Sequence, residues 1–170
     1  LIREPQIKHV SQLIGEHTRI FLYGFGSSGL AAQEFQLRLL RLGMDAEAIT
    51  ELHQMVLNEA RITNACLVIG ISLSGATREL IDALDRAKAR GAAVIYLTSS
   101  NAEREKRTYE EIVLAPVKKN LEYGNVISPQ FPILLILDLI YAQLLKEDRR
   151  STEAQYDTHI WERIKDYHVG

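Results

Sequence analysis

Short apolar runs rich in β-branched residues alternate along the chain with longer stretches in which apolar residues recur every three or four positions. Runs of the first kind are typical of strands buried in a parallel sheet, and the second spacing is typical of helices. The pattern predicts strands at 20–23, 44–49, 66–71, 92–97 and 112–114. It predicts helices at 6–15, 28–42, 51–58, 76–90, 131–146 and 151–167.

Strands that alternate with helices of these lengths form right-handed βαβ units. We therefore expect one α/β domain over residues 1–170, a three-layer αβα arrangement whose five-stranded parallel sheet has the flavodoxin-like order 2-1-3-4-5. In that order the first and third strands are neighbours where the strand order reverses. Ligands of such sheets bind there, outside the carboxyl ends of the strands.

The stretch 68–78, VIGISLSGATR, places Ser72, Ser74 and Thr77 directly after the third strand. Ser74 is expected to form the N-cap of the next helix, with Gly75 in its first turn. Hydroxyls beside the unpaired amides of a helix N-terminus suit a phosphate dianion. A cap needs one hydroxyl, so three at this spacing favour ligand binding over capping alone.

The stretch 19–32, RIFLYGFGSSGLAA, is a second strand, glycine-rich turn and helix. Its spacing G-x-G-x-x-G matches a dinucleotide fingerprint, so a dinucleotide-binding domain is one alternative. That motif expects an acidic residue at the end of the next strand, whereas Asp45 and Glu47 lie within that strand's run. Ser27 and Ser28 fit a small phosphate ester better than a pyrophosphate that needs bare backbone.

Together, G-x-G-S-S in the first loop and I-S-x-S-G-x-T in the second resemble the SIS (sugar isomerase) domain, over about residues 20–145. The resemblance implies that the chain binds a sugar phosphate and that these loops hold the phosphate. The residues expected to bind the phosphate are Ser27, Ser28, Ser72, Leu73 through its amide, Ser74 and Thr77. The residues expected to contact the sugar are His53, Tyr123 and Ser128.

The pattern after Tyr123, with Ser128 ahead of LILDLIY at 135–141, looks like the effector domain of RpiR-type bacterial transcription regulators. That resemblance implies a helix-turn-helix domain before the SIS domain, and a sugar phosphate that decides whether the protein binds its operator. The chain begins with Leu1, and we expect it to be a fragment whose DNA-binding domain is missing. DNA would then be bound only through that missing domain.

A sugar-phosphate aldose–ketose isomerase is the main alternative, because some single-domain relatives implied by the resemblance are isomerases. Such catalysis needs a carboxylate base near the carbon-bound proton. The position that matches the family's glutamate is near Gln130, an amide, so the candidates here are Glu122 as a substitute base and His159 in the last helix.

Composition limits the kinds of binding partner and the cellular compartment that we expect for this chain. The net charge of -2 and the pI near 6.2 argue against direct binding of nucleic acid by this chain. A single cysteine, Cys66, excludes a disulfide framework and favours the cytoplasm. The longest apolar stretch, 133–140, contains Asp138 and is too short to span a bilayer, so we expect no membrane association.

No cofactor or metal is expected, because the five histidines lie apart without cysteines or paired carboxylates at ligand spacing. The predicted helix at 131–146 is apolar nearly all round and must be covered on more than one side. We therefore expect a homodimer or a higher homo-oligomer.

Overall fold

The computed structural model describes residues 2–73, 77–99, 108–115 and 130–148. The strands in these ranges are β1 (Arg19–Gly24), β2 (Ala46–Ile49), β3 (Cys66–Ser72), β4 (Ala93–Thr98) and β5 (Glu111–Leu114). The helices are α1 (Glu4–Glu16), α2 (Gly26–Arg41), α3 (Leu52–Asn58), α4 (Arg78–Ala89) and α5 (Phe131–Asp148). A single 3-10 turn, Glu59–Arg61, follows α3.

The sheet confirms the predicted topology. Its five strands are all parallel and stand in the order β2-β1-β3-β4-β5. All seven residues of β3 are buried, as expected for a central strand covered on both faces. Because the strands are parallel, the carboxyl ends of β1 and β3 lie side by side, with Gly24 paired to Ile71.

Alternate side chains of β1 enter two separate cores. Ile20 and Leu22 belong to the core that includes residues of α1, α2 and α5. Phe21 and Tyr23 belong to the core that includes residues of α4 and Met55 of α3. This alternation gives the predicted three layers, because successive side chains of a strand point to opposite faces.

The starts of the two helices that follow β1 and β3 differ from the predictions. Helix α2 begins at Gly26 rather than at 28, since Gly26 adopts φ 51°, a conformation that glycine takes without strain, and the chain turns directly after β1. Helix α4 begins at Arg78 with Thr77 at the N-cap. The prediction that Ser74 caps this helix is therefore wrong: the connection from β3 is longer than a minimal turn.

The helix predicted at 151–167 lies outside the described residues. None of the helices in the described ranges has the length and apolarity that a membrane crossing requires.

Candidate functional site

The first loop joins β1 to α2 through a close contact of backbone with backbone. A Cβ on Gly24 would lie 2.8 Å from the carbonyl oxygen of Ser28, so the helix's first turn rests directly on the last residue of the strand. The Ser28 amide donates to the Phe25 carbonyl at 3.0 Å, which closes that turn. The result is that Ser27 and Ser28 are held at the carboxyl edge of the sheet.

The second loop leaves β3 at Ser72, which is buried, and reaches α4 at Thr77. Thr77 has an extended backbone, and its side chain makes no capping hydrogen bond within the described helix. Its hydroxyl instead faces the Ser72 hydroxyl, with 3.4 Å between the two oxygens. Since that distance exceeds the range of a good O–H···O hydrogen bond, the two hydroxyls bind each other only weakly.

The two loops meet across the sheet. The Leu73 amide donates to the Ser28 Oγ at 3.3 Å, which links the end of β3 to the first turn of α2. Beside this link lies a cavity of about 250 Å³. It is lined by Phe25, Ser27, Ser28, Ile71, Ser72, Leu73 and Thr77.

The lining of this cavity suits an anion. The described residues of the lining contribute four hydroxyls and no charged side chain. The N-termini of α2 and α4 both lie at it, and their unpaired amides and dipoles carry positive partial charge. No acidic residue occupies the first turn of α2. This arrangement can hold a phosphate through neutral donors alone.

The bond from the Leu73 amide to Ser28 does not close the site. At 3.3 Å it is longer than an ordinary N–H···O hydrogen bond. A hydroxyl also has one proton and two lone pairs, so the Ser28 oxygen can accept from the amide and donate its own proton to a phosphate oxygen. The Ser28 hydroxyl can therefore donate to a phosphate while it accepts from the amide, whereas the Leu73 amide, which has a single proton, donates to a phosphate in place of Ser28.

Five of the six predicted phosphate ligands lie in the described ranges, and all five line this cavity. The sixth, Ser74, lies outside them, as do Tyr123, Ser128, Glu122 and His159. His53 is exposed on α3 and is not among the residues that line the cavity.

Two lining residues were not predicted from the sequence, namely Phe25 and Ile71. Both are apolar, whereas the sequence pattern of a phosphate site consists of hydroxyl residues and backbone amides. Their positions in the sequence could have indicated them, because Ile71 precedes the predicted ligand Ser72 and Phe25 lies within the glycine-rich turn. They form an apolar side of the cavity, and in apolar surroundings hydrogen bonds to an anion are stronger than in water.

The acidic residues considered for a dinucleotide are engaged elsewhere. Asp45 forms an ion pair with Arg19 at 2.8 Å, and Glu47 forms one with Arg61 at 2.7 Å. Glu47 also raises the pKa of Arg61, chiefly through their hydrogen bond. Within the described ranges, no group of three or more potential metal ligands comes together.

Comparison with known proteins decides the family. A family model described as the SIS domain matches residues 12–133 of this chain. The chain belongs to the SIS domain family. The recognition based on the two serine-bearing loops is thereby confirmed.

An uncharacterized HTH-type transcriptional regulator of Haemophilus influenzae is 31% identical to this SIS domain over 146 residues. The match covers 86% of this chain and 51% of that regulator. The chain spans about half the length of the curated relatives it matches first. The predicted likeness to transcription regulators is confirmed by such relatives.

Solved structures share the fold. The sugar isomerase domain of an RpiR transcription factor from Sphaerobacter thermophilus superposes with a TM-score of 0.79 at 19% identity, covering 96% of this chain and 87% of that one. The Vibrio vulnificus NanR protein, complexed with ManNAc-6P, also gives 0.79, at 22% identity, covering 97% and 61%. At these identities the likeness establishes a common SIS fold.

Proposed function

We propose that this SIS domain binds a sugar phosphate in the cavity between the loops after β1 and β3, and that it is the effector domain of a transcription regulator of sugar metabolism. One observation carries the proposal. Hydroxyls from Ser28, Ser72 and Thr77 converge on a cavity at the N-termini of two helices, and the described residues that line it carry no charged group. Donors of this kind recognise a phosphoryl group and discriminate little between the sugars attached to it.

The phosphate accepts hydrogen bonds from the hydroxyls of Ser27, Ser28, Ser72 and Thr77 and from the Leu73 amide. Ser74 completes the set in this proposal. Hydrogen bonds to an ionised acceptor contribute about 1.5–3 kcal/mol each relative to water, so the loss of one of them weakens binding about tenfold or more. The unphosphorylated sugar lacks all of these interactions.

The regulator assignment draws on the relatives. A curated protein matched over most of this chain is an HTH-type transcriptional regulator about twice as long as the match. The NanR protein with the same fold is complexed with ManNAc-6P, a phosphorylated sugar. In our proposal DNA is bound by a helix-turn-helix domain that is not part of this chain, and the protein acts in the cytoplasm.

The sugar itself is read by other residues in this proposal, namely His53, Tyr123 and Ser128. Changing any of them alters which sugar phosphate binds best, whereas changing a phosphate ligand weakens all sugar phosphates alike. Because a ligand shifts a conformational equilibrium only through its differential affinity for two states, these sugar contacts must differ between the DNA-binding and the released states.

The domain works as a dimer in this proposal, and helix α5 supplies the interface. One side of α5 is buried in the core, while Phe131, Leu135 and Leu139 recur every four residues on another side and remain 42–56% exposed. An apolar stripe of this kind is typical of an interaction surface. The double variant Leu135→Glu and Leu139→Glu should sediment as a monomer, whereas Leu57→Glu, at a more exposed position on α3, should leave the dimer intact.

A thermal-shift screen tests the binding function. The panel contains ManNAc-6P, glucose 6-phosphate, fructose 6-phosphate, arabinose 5-phosphate and ribose 5-phosphate, each beside its unphosphorylated sugar. We expect at least one phosphorylated member to raise the Tm while its unphosphorylated partner does not, because binding to the native state alone stabilises it. No shift with any sugar phosphate would contradict the proposal.

Isomerase activity is the second candidate. It depends on Glu122 and His159, which lie outside the described residues. The described cavity lining contains no carboxylate and no histidine, the groups that proton transfer requires. Conversion of an aldose phosphate to the ketose phosphate by the purified chain, lost in Glu122→Gln, would support the isomerase over the sensor.

A further inference from the structure

Ser99 lies one residue beyond β4 and is not among the residues that line the cavity. In the ladder of β3 and β4, Ser72 pairs with Thr98, and these are the last residues of the two strands. Ser99 and Leu73 are therefore the first residues past the end of the ladder on each side. Regular backbone pairing between the strands stops at this point.

The Ser99 side chain links β4 to β3 one residue beyond the last backbone pair. Its hydroxyl donates to the Leu73 carbonyl. On its other side, the Leu73 amide donates to the Ser28 hydroxyl at 3.3 Å. Leu73 is thus held through both of its backbone groups, by a serine from the β1 side and by a serine from the β4 side.

The direction of the Leu73 carbonyl matters for an anion. A carbonyl oxygen carries negative partial charge and would repel a phosphate oxygen if it turned into the cavity. The bond to Ser99 keeps this oxygen directed towards β4, on the side away from the β1 loop. The Leu73 carbonyl and amide belong to adjacent peptide planes that share the Leu73 Cα, so holding the carbonyl plane limits the movement of that Cα and of the amide that points at Ser28.

We propose that Ser99 is a positioning residue for phosphate binding: it holds the Leu73 carbonyl out of the site and thereby preserves the donor geometry of the Leu73 amide. This inference rests on the proposed phosphate-binding function of the cavity. In this proposal Ser99, which is not among the described lining residues, makes no contact with the phosphate. It acts through the backbone of Leu73.

Three variants test the proposal. Ser99→Ala removes the hydroxyl, Ser99→Thr keeps it, and Ser11→Ala is the matched control. Ser11 is a buried serine of α1 whose hydroxyl donates to Glu147 at 2.9 Å, so its loss removes one hydrogen bond remote from the cavity. The probes are inorganic phosphate and the sugar phosphate with the largest thermal shift, titrated by calorimetry.

We expect Ser99→Ala to weaken the binding of both probes about fivefold, as expected when one hydrogen bond that orders the site is lost. Ser99→Thr should restore the affinity to within about twofold of the wild type, and Ser11→Ala should leave it unchanged even though it lowers the Tm. Equal affinity in Ser99→Ala and wild type, or equal losses in Ser99→Ala and Ser11→Ala, would overturn the proposal.

A second measurement needs no ligand. Hydrogen exchange at the Leu73 amide, followed by NMR in the free protein, should be faster in Ser99→Ala and normal in Ser99→Thr. Unchanged exchange in Ser99→Ala would overturn the role of Ser99 whether or not the wild type binds phosphate. If the wild type binds neither probe, the proposed function fails, and the positioning role for phosphate falls with it. Failure of Ser99 alone leaves wild-type binding intact.

Discussion

Gly24→Ala tests the structural basis of the first loop directly. The new Cβ would lie 2.8 Å from the Ser28 carbonyl oxygen and 2.9 Å from the carbonyl carbon, whereas ordinary contact begins at 3.4 Å. Both atoms belong to the backbone, so no side-chain rotation relieves the clash. The first turn of α2 must therefore move away from β1 by about 0.6 Å, taking Ser27 and Ser28 with it.

That displacement sets the expected magnitudes. The link from Leu73 to Ser28 is already 3.3 Å long, so a further shift of this size breaks it. Misplacing hydroxyls that each contribute about 1.5 kcal/mol or more to an anion weakens sugar-phosphate binding at least about tenfold. Overpacking of this kind also lowers the free energy of unfolding by about 1–3 kcal/mol.

Gly15→Ala is the matched control. Gly15 lies within α1, and a Cβ there meets no atom within 4 Å. The same substitution should therefore stabilise the protein by about 0.5–1 kcal/mol, because alanine is the better helix former. Urea denaturation measures stability, and calorimetric titration with the sugar phosphate measures affinity. Wild-type affinity in Gly24→Ala would refute the reasoning that this loop positions the phosphate ligands.

Three further predictions concern single side chains. Thr77→Val keeps the shape of a cavity residue but removes its hydroxyl, and it should lower the affinity for every sugar phosphate by a similar factor of about ten in calorimetry. A loss of affinity confined to one sugar would contradict a role in phosphate binding. Tyr23→Phe removes the hydroxyl that accepts a 2.8 Å hydrogen bond from the buried Asn58, whose Oδ1 already has no partner among the described residues. The substitution should lower the free energy of unfolding by about 1–3 kcal/mol in urea denaturation, and an unchanged midpoint would contradict this prediction. Burial acts to raise the pKa of Glu110, but the hydrogen bonds that its carboxylate accepts from Lys88 and from backbone amides, including that of Val94, together outweigh burial and lower the pKa. The carboxylate therefore stabilises the fold above its ordinary pKa near 4.5 and loses this effect as the pH falls through the lowered value. Glu110→Gln should accordingly lower the Tm at pH 7 and have a smaller effect at pH 3, and an equal loss at both would refute the linkage.

The fold was largely predictable because its signals are local. The burial of β3 on both faces requires an unbroken apolar run, and 66–71 is such a run. The strand order then follows from the short helical connections, which leave few arrangements of parallel strands. The exact helix starts were harder, since the start of α2 depends on the positive φ of Gly26, which the pattern of apolar residues does not encode.

The candidate site was predictable where it follows from topology. Ser72 ends β3 and Ser28 lies in the helix turn that directly follows the neighbouring parallel strand β1, so their proximity follows once the strand order is known. Ser99 was not singled out, because its contact is with a backbone carbonyl and leaves no trace in residue type. Thr77 illustrates an intermediate case: its hydroxyl was predicted at the site, but its place at the N-cap was assigned to Ser74.

The central claim is that one phosphoryl group is bound between the loops after β1 and β3. Amide chemical-shift mapping during titration with the best sugar phosphate of the panel tests it most directly. We predict saturable shifts that are largest at Ser27, Ser28, Leu73 and Thr77 and are absent with the unphosphorylated sugar. Shifts that centre elsewhere in the domain, or that the unphosphorylated sugar reproduces, would contradict the claim.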